Sequence, residues 1–373
     1  MKSLIQHIAN HNFIKPGAYS IVFLFILALS LSCQRGKQAD EKGDFINKEV
    51  TIKRNDVNIT LAGTLSLPRG EGPHPAILLL TGSGGHTRDQ VISGLPMFEV
   101  IGDFLAENGI AVLRMDDRGQ GLSNGPNVRA SSTAERAKDA IAAFNHLLVQ
   151  PEIDTSQIGL LGHSEGTHTA TLLANELSEV DFVIMLSPWA ITGSELWVWQ
   201  QGTILREEGE FSEDKIQSIE AELFKMVTSI GAGNRDEDFF KFGGAACLAW
   251  GDPAEDITND FVTEAFGDLR QQWYEYFFRT NPENELKKLA QPTLALFGSE
   301  DKQTPPSLNV KYLSEYLIQG SNSDFTLQIL PNEDHFFMTG DGLAPNEHVL
   351  GEMKFSPKAL NAIKYWLEQQ LIL

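Results

Sequence analysis

From Phe45 onward apolar and polar residues alternate, in Val50-Thr-Ile-Lys53 and again in Val57-Asn-Ile-Thr-Leu-Ala-Gly-Thr-Leu-Ser-Leu67, on either side of a turn at Asn55-Asp56. A period of two with a polar break predicts a β-hairpin. The pattern then changes to short, mainly apolar runs: Ala76–Leu80, Ile110–Met115, Ile158–Leu161, Phe182–Leu186, Pro292–Phe297 and Phe325–Leu330. Such runs suit strands covered on both faces of a parallel sheet. Helical spacing fills the gaps, at Met97–Asn108, at Thr133–Leu148 (Ala137, Ile141, Phe144, Leu148), at Thr169–Leu177 and at Pro357–Leu373, where Ala359, Ile363, Trp366 and Leu367 share one side. Strands alternating with helices predict right-handed crossovers and a mostly parallel, doubly wound α/β sheet behind an N-terminal β-hairpin.

The alternation stops at Trp189 and resumes only at Pro292. Between them lies a helical, acidic stretch rich in aromatics, including Trp197, Trp199, Phe224, Phe239, Phe240, Trp250, Trp273, Tyr274 and Tyr276. A loop of that length is rare in a compact domain. The expectation is a helical cap over the carboxyl edge of the sheet, where open α/β folds bind ligands. The predicted division is a core from 45–188, an insertion over 189–290 and a returning core over 291–373. Most of the cap's aromatics are expected to be packing, with one or two facing a pocket.

Composition narrows the class. Of 373 residues 42% are hydrophobic and 21% charged, enough apolar material for a sizeable core. The net charge of −21 argues against nucleic acid as a partner. The first 32 residues stand apart. Lys2 and Lys15 precede an apolar run, Ile21–Leu29, too short for a comfortable membrane span and long enough for the apolar part of a signal peptide. Leu29-Ser-Leu-Ser-Cys33 follows, then polar residues to Gly43. That arrangement resembles a bacterial lipoprotein signal, with Cys33 lipidated and residues 33–44 a flexible tether, although Ser30 stands where leucine is usual. Ser30-Leu-Ser32 equally satisfies ordinary signal cleavage, and an uncleaved anchor is a third reading. Export is expected in the first two cases, to the cell envelope as a membrane-anchored lipoprotein or in soluble form. The other cysteine, Cys247, reads as a small buried apolar residue, and no disulfide framework is expected.

The chemistry centres on Ile158-Gly-Leu-Leu-Gly-His-Ser-Glu-Gly166. On composition alone G-x-S-x-G is unremarkable, but here a strand precedes it and a helix follows. Strand, G-x-S-x-G and helix together form a nucleophile elbow, in which a strained turn lifts the serine oxygen above the sheet. A serine hydroxyl needs a base to take its proton. Only His168, His335 and His348 follow Ser164 in the chain. His168 falls inside the next helix and His348 in a loop with nothing to place it. His335, directly after the last strand, is the expected base. Asp301, one turn beyond the strand ending at Phe297, is the expected acid, with Glu300 beside it as competitor; Asp334 is expected to face solvent. The oxyanion donors are expected to be the N–H groups of Glu165 and of Ser83, the latter in the glycine-rich loop after Leu80. No G-K-[ST] follows that loop, so a phosphate cradle is not expected.

Gly82-Ser-Gly-Gly-His-Thr-Arg-Asp89, Arg114-Met-Asp-Asp-Arg-Gly-Gln-Gly-Leu-Ser123, Gly162-His-Ser-Glu-Gly166, Gly298-Ser-Glu-Asp301 and Asp334-His335 occur in this order. Together they resemble bacterial α/β-hydrolase esterases related to the serine aminopeptidase and prolyl-oligopeptidase catalytic domains. The resemblance runs from about residue 50 to the C-terminus, and Trp273–Pro282 is similar to the segment by which that group returns from cap to core. Thr167 departs from it, standing where the group has a second glycine. The resemblance implies an α/β-hydrolase fold, a Ser164–His335–Asp301 triad, a structural turn at Asp117-Arg118-Gly119, and neither cofactor nor metal. The expected activity is hydrolysis of carboxylic esters with short acyl groups. A small aminopeptidase of the same fold is the alternative, and a non-catalytic binding lipoprotein the remaining one.

Overall fold

The computed structural model describes residues 43–54, 56–233, 235–339 and 354–371. The signal peptide, Cys33, nearly all of the tether, Asn55 and His348 lie outside the described residues. Eight strands form one sheet: β1 (Phe45–Arg54), β2 (Ile59–Pro68), β3 (His74–Leu80), β4 (Ala111–Met115), β5 (Ile153–His163), β6 (Phe182–Leu186), β7 (Thr293–Gly298) and β8 (Phe325–Leu330). Their spatial order is β1-β2-β4-β3-β5-β6-β7-β8. β2 pairs antiparallel with both β1 and β4, and every pairing from β4 through β8 is parallel.

Because β4 lies on one side of β3 and β5 on the other, the winding reverses at β3, which opens a crevice at the carboxyl ends of β3 and β5. The apolar runs of the central strands are continuous because helices cover both faces, whereas the edge strand β8 leaves Thr326, Gln328 and Ile329 exposed. Ala76, Leu78 and Leu80 of β3 join one buried cluster, with Ala140, Phe144 and Leu147 of α2 (Thr133–Leu147) and Leu173 of α3 (Glu165–Glu176). Ile77 and Leu79 point the other way, to Phe98 and Ile101 of α1 (Met97–Glu107) and to the C-terminal helix Pro357–Gln370. That helix buries Ala359, Ile363, Trp366 and Leu367, the side its spacing predicts.

Two local readings change. The buried face of α2 is built on Ala137, Ala140, Ala143, Phe144 and Leu147, while Ile141 and Leu148 sit at its margin, so the stripe is turned toward the small residues that let the helix lie close to the sheet. The sequence reading also passed over a helix at Pro306–Gln319, whose start is marked by a proline in the first turn.

Between β6 and β7 the chain leaves the sheet and forms α4 (Gly193–Glu208), α5 (Glu213–Gly231), α6 (Asp236–Trp250), α7 (Asn259–Phe266) and α8 (Gln272–Arg279). These helices bury a cluster of their own, including Trp197, Ile219, Met226, Phe239, Cys247, Phe266 and Tyr274. Capping boxes fix the start of α4 (Thr192 with Glu195) and of α2 (Ser132 with Glu135). Trp197 packs edge-on against Phe278 with ring centroids 5.7 Å apart and is core, whereas Trp199 is only half-buried. Among the described residues no helix is long and apolar enough to cross a membrane.

Cys247 is fully buried in the insertion cluster, and burial pushes its thiol up to about 12. A buried thiol of that kind is inert. Peptide mapping after native treatment with a maleimide should find Cys247 unmodified, and labelling should appear only through the unfolding transition. Cys247→Ser, which buries a hydroxyl among apolar side chains, should cost about 1–3 kcal/mol in urea unfolding.

Candidate active site

The elbow is a consequence of how closely α3 crosses the strands. A Cβ on Gly162 would stand 2.2 Å from the Gly166 carbonyl oxygen, and one on Gly166 would stand 2.1 Å from that of Leu80. Only glycine fits at either place. The chain therefore turns within Gly162–Gly166, and Ser164 takes φ 53° and ψ −120°, a costly conformation for a residue with a side chain. Ser164 N–H donates to the Leu186 carbonyl at 2.8 Å, which ties the strained residue to β6. Thr167 donates from both its N–H and its hydroxyl to the Ser164 carbonyl. The residue that departs from the family pattern thus braces the elbow instead of crowding it.

α3 starts at Glu165, so the N–H groups of Glu165 and Gly166 have no intrahelical acceptor and lie at the elbow. The Glu165 carboxylate turns inward and is 1% exposed. It accepts from the Thr133 hydroxyl at 2.5 Å and from the Trp273 indole N–H at 2.9 and 3.0 Å, with the Arg136 guanidinium 3.6 Å away. One side chain thereby joins α3, α2 and α8. Nothing in the local sequence signals that use of Glu165.

The glycine-rich loop after β3 is held by the Asp116-Asp117 turn. Arg88 forms a bidentate pair with the buried Asp116 carboxylate, and its backbone N–H donates to the same group. Asp117 accepts from the Thr81 hydroxyl and the His86 N–H. Arg118 reaches past the turn to Asp139, which also takes Arg54. Gly82 N–H is occupied by the Gln90 side chain at 2.8 Å, which leaves Ser83 as the next backbone donor along the loop. A Cβ built on Gly82 would lie 3.4 Å from the Ser164 Cβ, so loop and elbow are in contact.

Asp301 and His335 come together from the loops after β7 and β8. His335 Nδ1 lies 2.9 Å from Asp301 Oδ2, and both residues are nearly sealed from solvent, at 4% and 3% exposed. The other carboxylate oxygen accepts from the Gln303 and Thr304 N–H groups at 2.8 Å each. Burial alone would raise the Asp301 carboxyl, but His335 beside it and the hydrogen bonds from His335 and Thr304 bring it below the usual carboxylate range. An ionised carboxylate at Nδ1 fixes the hydrogen there and leaves Nε2 as the basic nitrogen. Glu300 is exposed and its carboxylate accepts from the Ser299 hydroxyl, whereas the carboxylate beside the His335 ring is that of Asp301.

Asp334 requires a correction. It is half-buried, not solvent-facing, and its Oδ1 accepts from the N–H groups of Phe336 and Met338. It shapes the turn that carries His335. His168 lies in α3, 5.5 Å from the Trp189 ring and 6.4 Å from that of Tyr276, and burial pushes its imidazole down to about 4. Sequence reasoning also missed Thr304 and Ser187, whose hydroxyls serve the Asp301–His335 pair, and Gln90, which is buried beside the elbow. Among the described residues no group of three or more His, Cys, Asp or Glu side chains is placed to hold a metal ion.

A family model described as serine aminopeptidase, S33, matches residues 92–212, a span that contains Ser164 and stops before Asp301 and His335. Esterase EstD of Thermotoga maritima is 24% identical over 339 residues, covering 90% of this chain and 72% of the relative. Among solved structures, the esterase Pf2001 of Pyrococcus furiosus is similar with a TM-score of 0.51 and 16% identity, over 87% of this chain and 91% of that one. DcsB in complex with its substrate analogue is similar with a TM-score of 0.52 and 16% identity, over 88% of this chain and 100% of that one. The fold is the α/β-hydrolase fold. The chain is an enzyme of the hydrolase class.

The buried histidines give the folded state a defined response to acid. His163 and His168 are pushed down to about 3 and about 4 by burial, with His335 adding to the effect at His163, against an ordinary 6.5. Below about pH 6.5 the unfolded chain takes up protons that the native rings refuse, so stability falls as pH drops from 6.5 toward 4. His168→Leu removes one of these sites. Melting curves at stepped pH should show its slope below pH 6.5 reduced by up to about 1.4 kcal/mol per pH unit relative to the wild type.

Proposed function

We propose that the chain is a serine hydrolase that cleaves carboxylic esters with short acyl groups through an acyl-enzyme. The observation that carries this reading is the buried Asp301–His335 pair held at the same carboxyl edge as the strained Ser164 elbow. In this mechanism Ser164 Oγ attacks the ester carbonyl carbon while His335 Nε2 takes its proton. The developing oxyanion is met by the N–H groups of Glu165 and Ser83. Asp301 keeps the ring in the Nδ1–H form and stabilises its cation. His335 then gives the proton to the leaving alkoxide, and a water activated by the same nitrogen releases the acid from Ser164. The ester substrate is supported by the similarity to esterase EstD. A peptide substrate is favoured by the serine aminopeptidase description of the matching family model. Rates on p-nitrophenyl esters and aminoacyl-anilides discriminate the two: esters should turn over at least about tenfold faster, and the reverse order would make the protein a peptidase.

Ser164→Ala should lower kcat on the order of a thousandfold or more and abolish labelling by a fluorophosphonate, with the circular dichroism spectrum unchanged. Asp301→Asn should lower kcat by about 10³–10⁴-fold, because the amide no longer favours the Nδ1–H ring. Glu300→Gln should stay within about twofold of wild type, as expected for an exposed side chain away from the histidine. A larger loss in Glu300→Gln than in Asp301→Asn would reassign the acid.

The N-terminal reading extends the proposal to location. We place the mature enzyme on a membrane of the cell envelope through lipid on Cys33, where two or more acyl chains suffice for stable anchoring. Cys33→Ala should move the protein to the soluble exported fraction with unchanged specific activity. Metabolic labelling with a palmitate analogue that leaves the wild-type protein unmodified would point to ordinary signal cleavage.

A further inference from the structure

His163 precedes the nucleophile in the chain and is buried, and its two ring nitrogens have different partners. Nδ1 lies 2.9 Å from the Gln90 side-chain nitrogen, and Nε2 lies 3.0 Å from the His335 carbonyl oxygen. Gln90 is itself fully buried, at a positive φ of 41°. Its side-chain oxygen accepts from Gly82 N–H at 2.8 Å. The polarity of this chain is fixed from one end. Gly82 N–H can only donate, so the amide must present its oxygen there and its NH₂ to His163. Nδ1 must then accept, Nε2 carries the hydrogen, and that hydrogen meets the His335 carbonyl. Reversing the amide would set donor against donor at Gly82.

The ends of the chain are the two loops that the proposed mechanism has to hold around Ser164. Gly82 adjoins Ser83, and the His335 carbonyl belongs to the residue assigned as base. We infer that Gln90 and His163 are positioning residues, a buried relay that holds the oxyanion loop and the histidine loop in register. The inference rests on the Ser164–His335–Asp301 reading. Neither side chain touches the reacting atoms. The His335 carbonyl has a second donor in the Ser187 hydroxyl at 2.9 Å, so the relay's own contribution is the link to Gly82.

The relay also needs an imidazole that stays neutral beside a base that charges in every turnover. The His163 and His335 rings are 5.0 Å apart, Phe336 packs 5.6 Å from His163, and Asp301 and His86 are the other titratable groups whose charge reaches it. Burial and the neighbouring His335 hold His163 down at about 3, so it does not compete for the proton.

The test uses the full chain and two variants. Gln90→Met keeps the length of the side chain and removes both hydrogen bonds. It should lower kcat by about 30–100-fold with KM within about twofold, because only the transition state uses the aligned oxyanion donor. His163→Phe keeps a ring in the site and removes the links to Gln90 and to the His335 carbonyl. It should lower kcat by at least about tenfold with KM within about twofold, as expected if the broken link misaligns the oxyanion loop and not the substrate pocket. Wild-type kcat in Gln90→Met, or a loss confined to KM, would overturn the relay. If Gln90→Met does not fold, wild-type kcat in His163→Phe, or a loss confined to KM, overturns it instead. Fluorophosphonate labelling of the wild type is measured first. No label at Ser164 removes the triad reading and the relay with it, whereas a labelled wild type with wild-type kcat in both variants removes the relay alone.

Discussion

The close crossing of α3 over β3 and β5 is the constraint on which the site depends. With Gly162 and Gly166 against neighbouring backbone, there is no room for a relaxed connection, and the residue between strand and helix has to take a strained conformation. That strain is stored where it is useful. It places Ser164 at the end of the central strand and the first N–H groups of a helix directly behind it. The surrounding sheet, buried on both faces, is what makes the strain affordable.

The loops around the elbow are held by buried polar contacts more than by their own turns. Arg88 with Asp116, Arg118 and Arg54 with Asp139, and Arg136 near Glu165 form a band of paired charges beneath the glycine-rich loop. Buried pairs of this kind contribute little net stability, since desolvation offsets attraction, but breaking one leaves an uncompensated charge at a cost of about 3–5 kcal/mol. Their effect is on position: Arg88–Asp116 ties the glycine-rich loop to the turn after β4, and Asp139 of α2 holds both the end of β1 and the Arg118 turn. Asp334 does the same within a single turn, spending its carboxylate on the backbone that carries His335.

The helical insertion is joined to this band at one place in particular. Trp273 of α8 donates to Glu165, whose backbone forms the start of α3, while Thr133 and Arg136 approach the same carboxylate from α2. The insertion has its own apolar cluster and so folds around itself, yet α8 is tied to the residue that follows Ser164.

Periodicity and glycine placement were sufficient to read the strands, the elbow, the insertion and the flanking helices other than Pro306–Gln319, because each is written in residues near one another in sequence. The Asp301–His335 pair was legible for a related reason: each residue follows a parallel strand, and parallel strands deliver their carboxyl ends to one edge. What sequence could not settle was every contact made between loops that meet only after the sheet is assembled. The hydrogen bonds that occupy Glu165, the turn held by Asp334, the placing of Asp301 rather than Glu300 beside the histidine, and the Gln90–His163 chain are of this kind. Local pattern records whether a residue is apolar or polar and at what spacing. Which polar group meets which, and with what hydrogen between them, is decided by the tertiary structure, since partners there lie as far apart in the chain as His163 and His335.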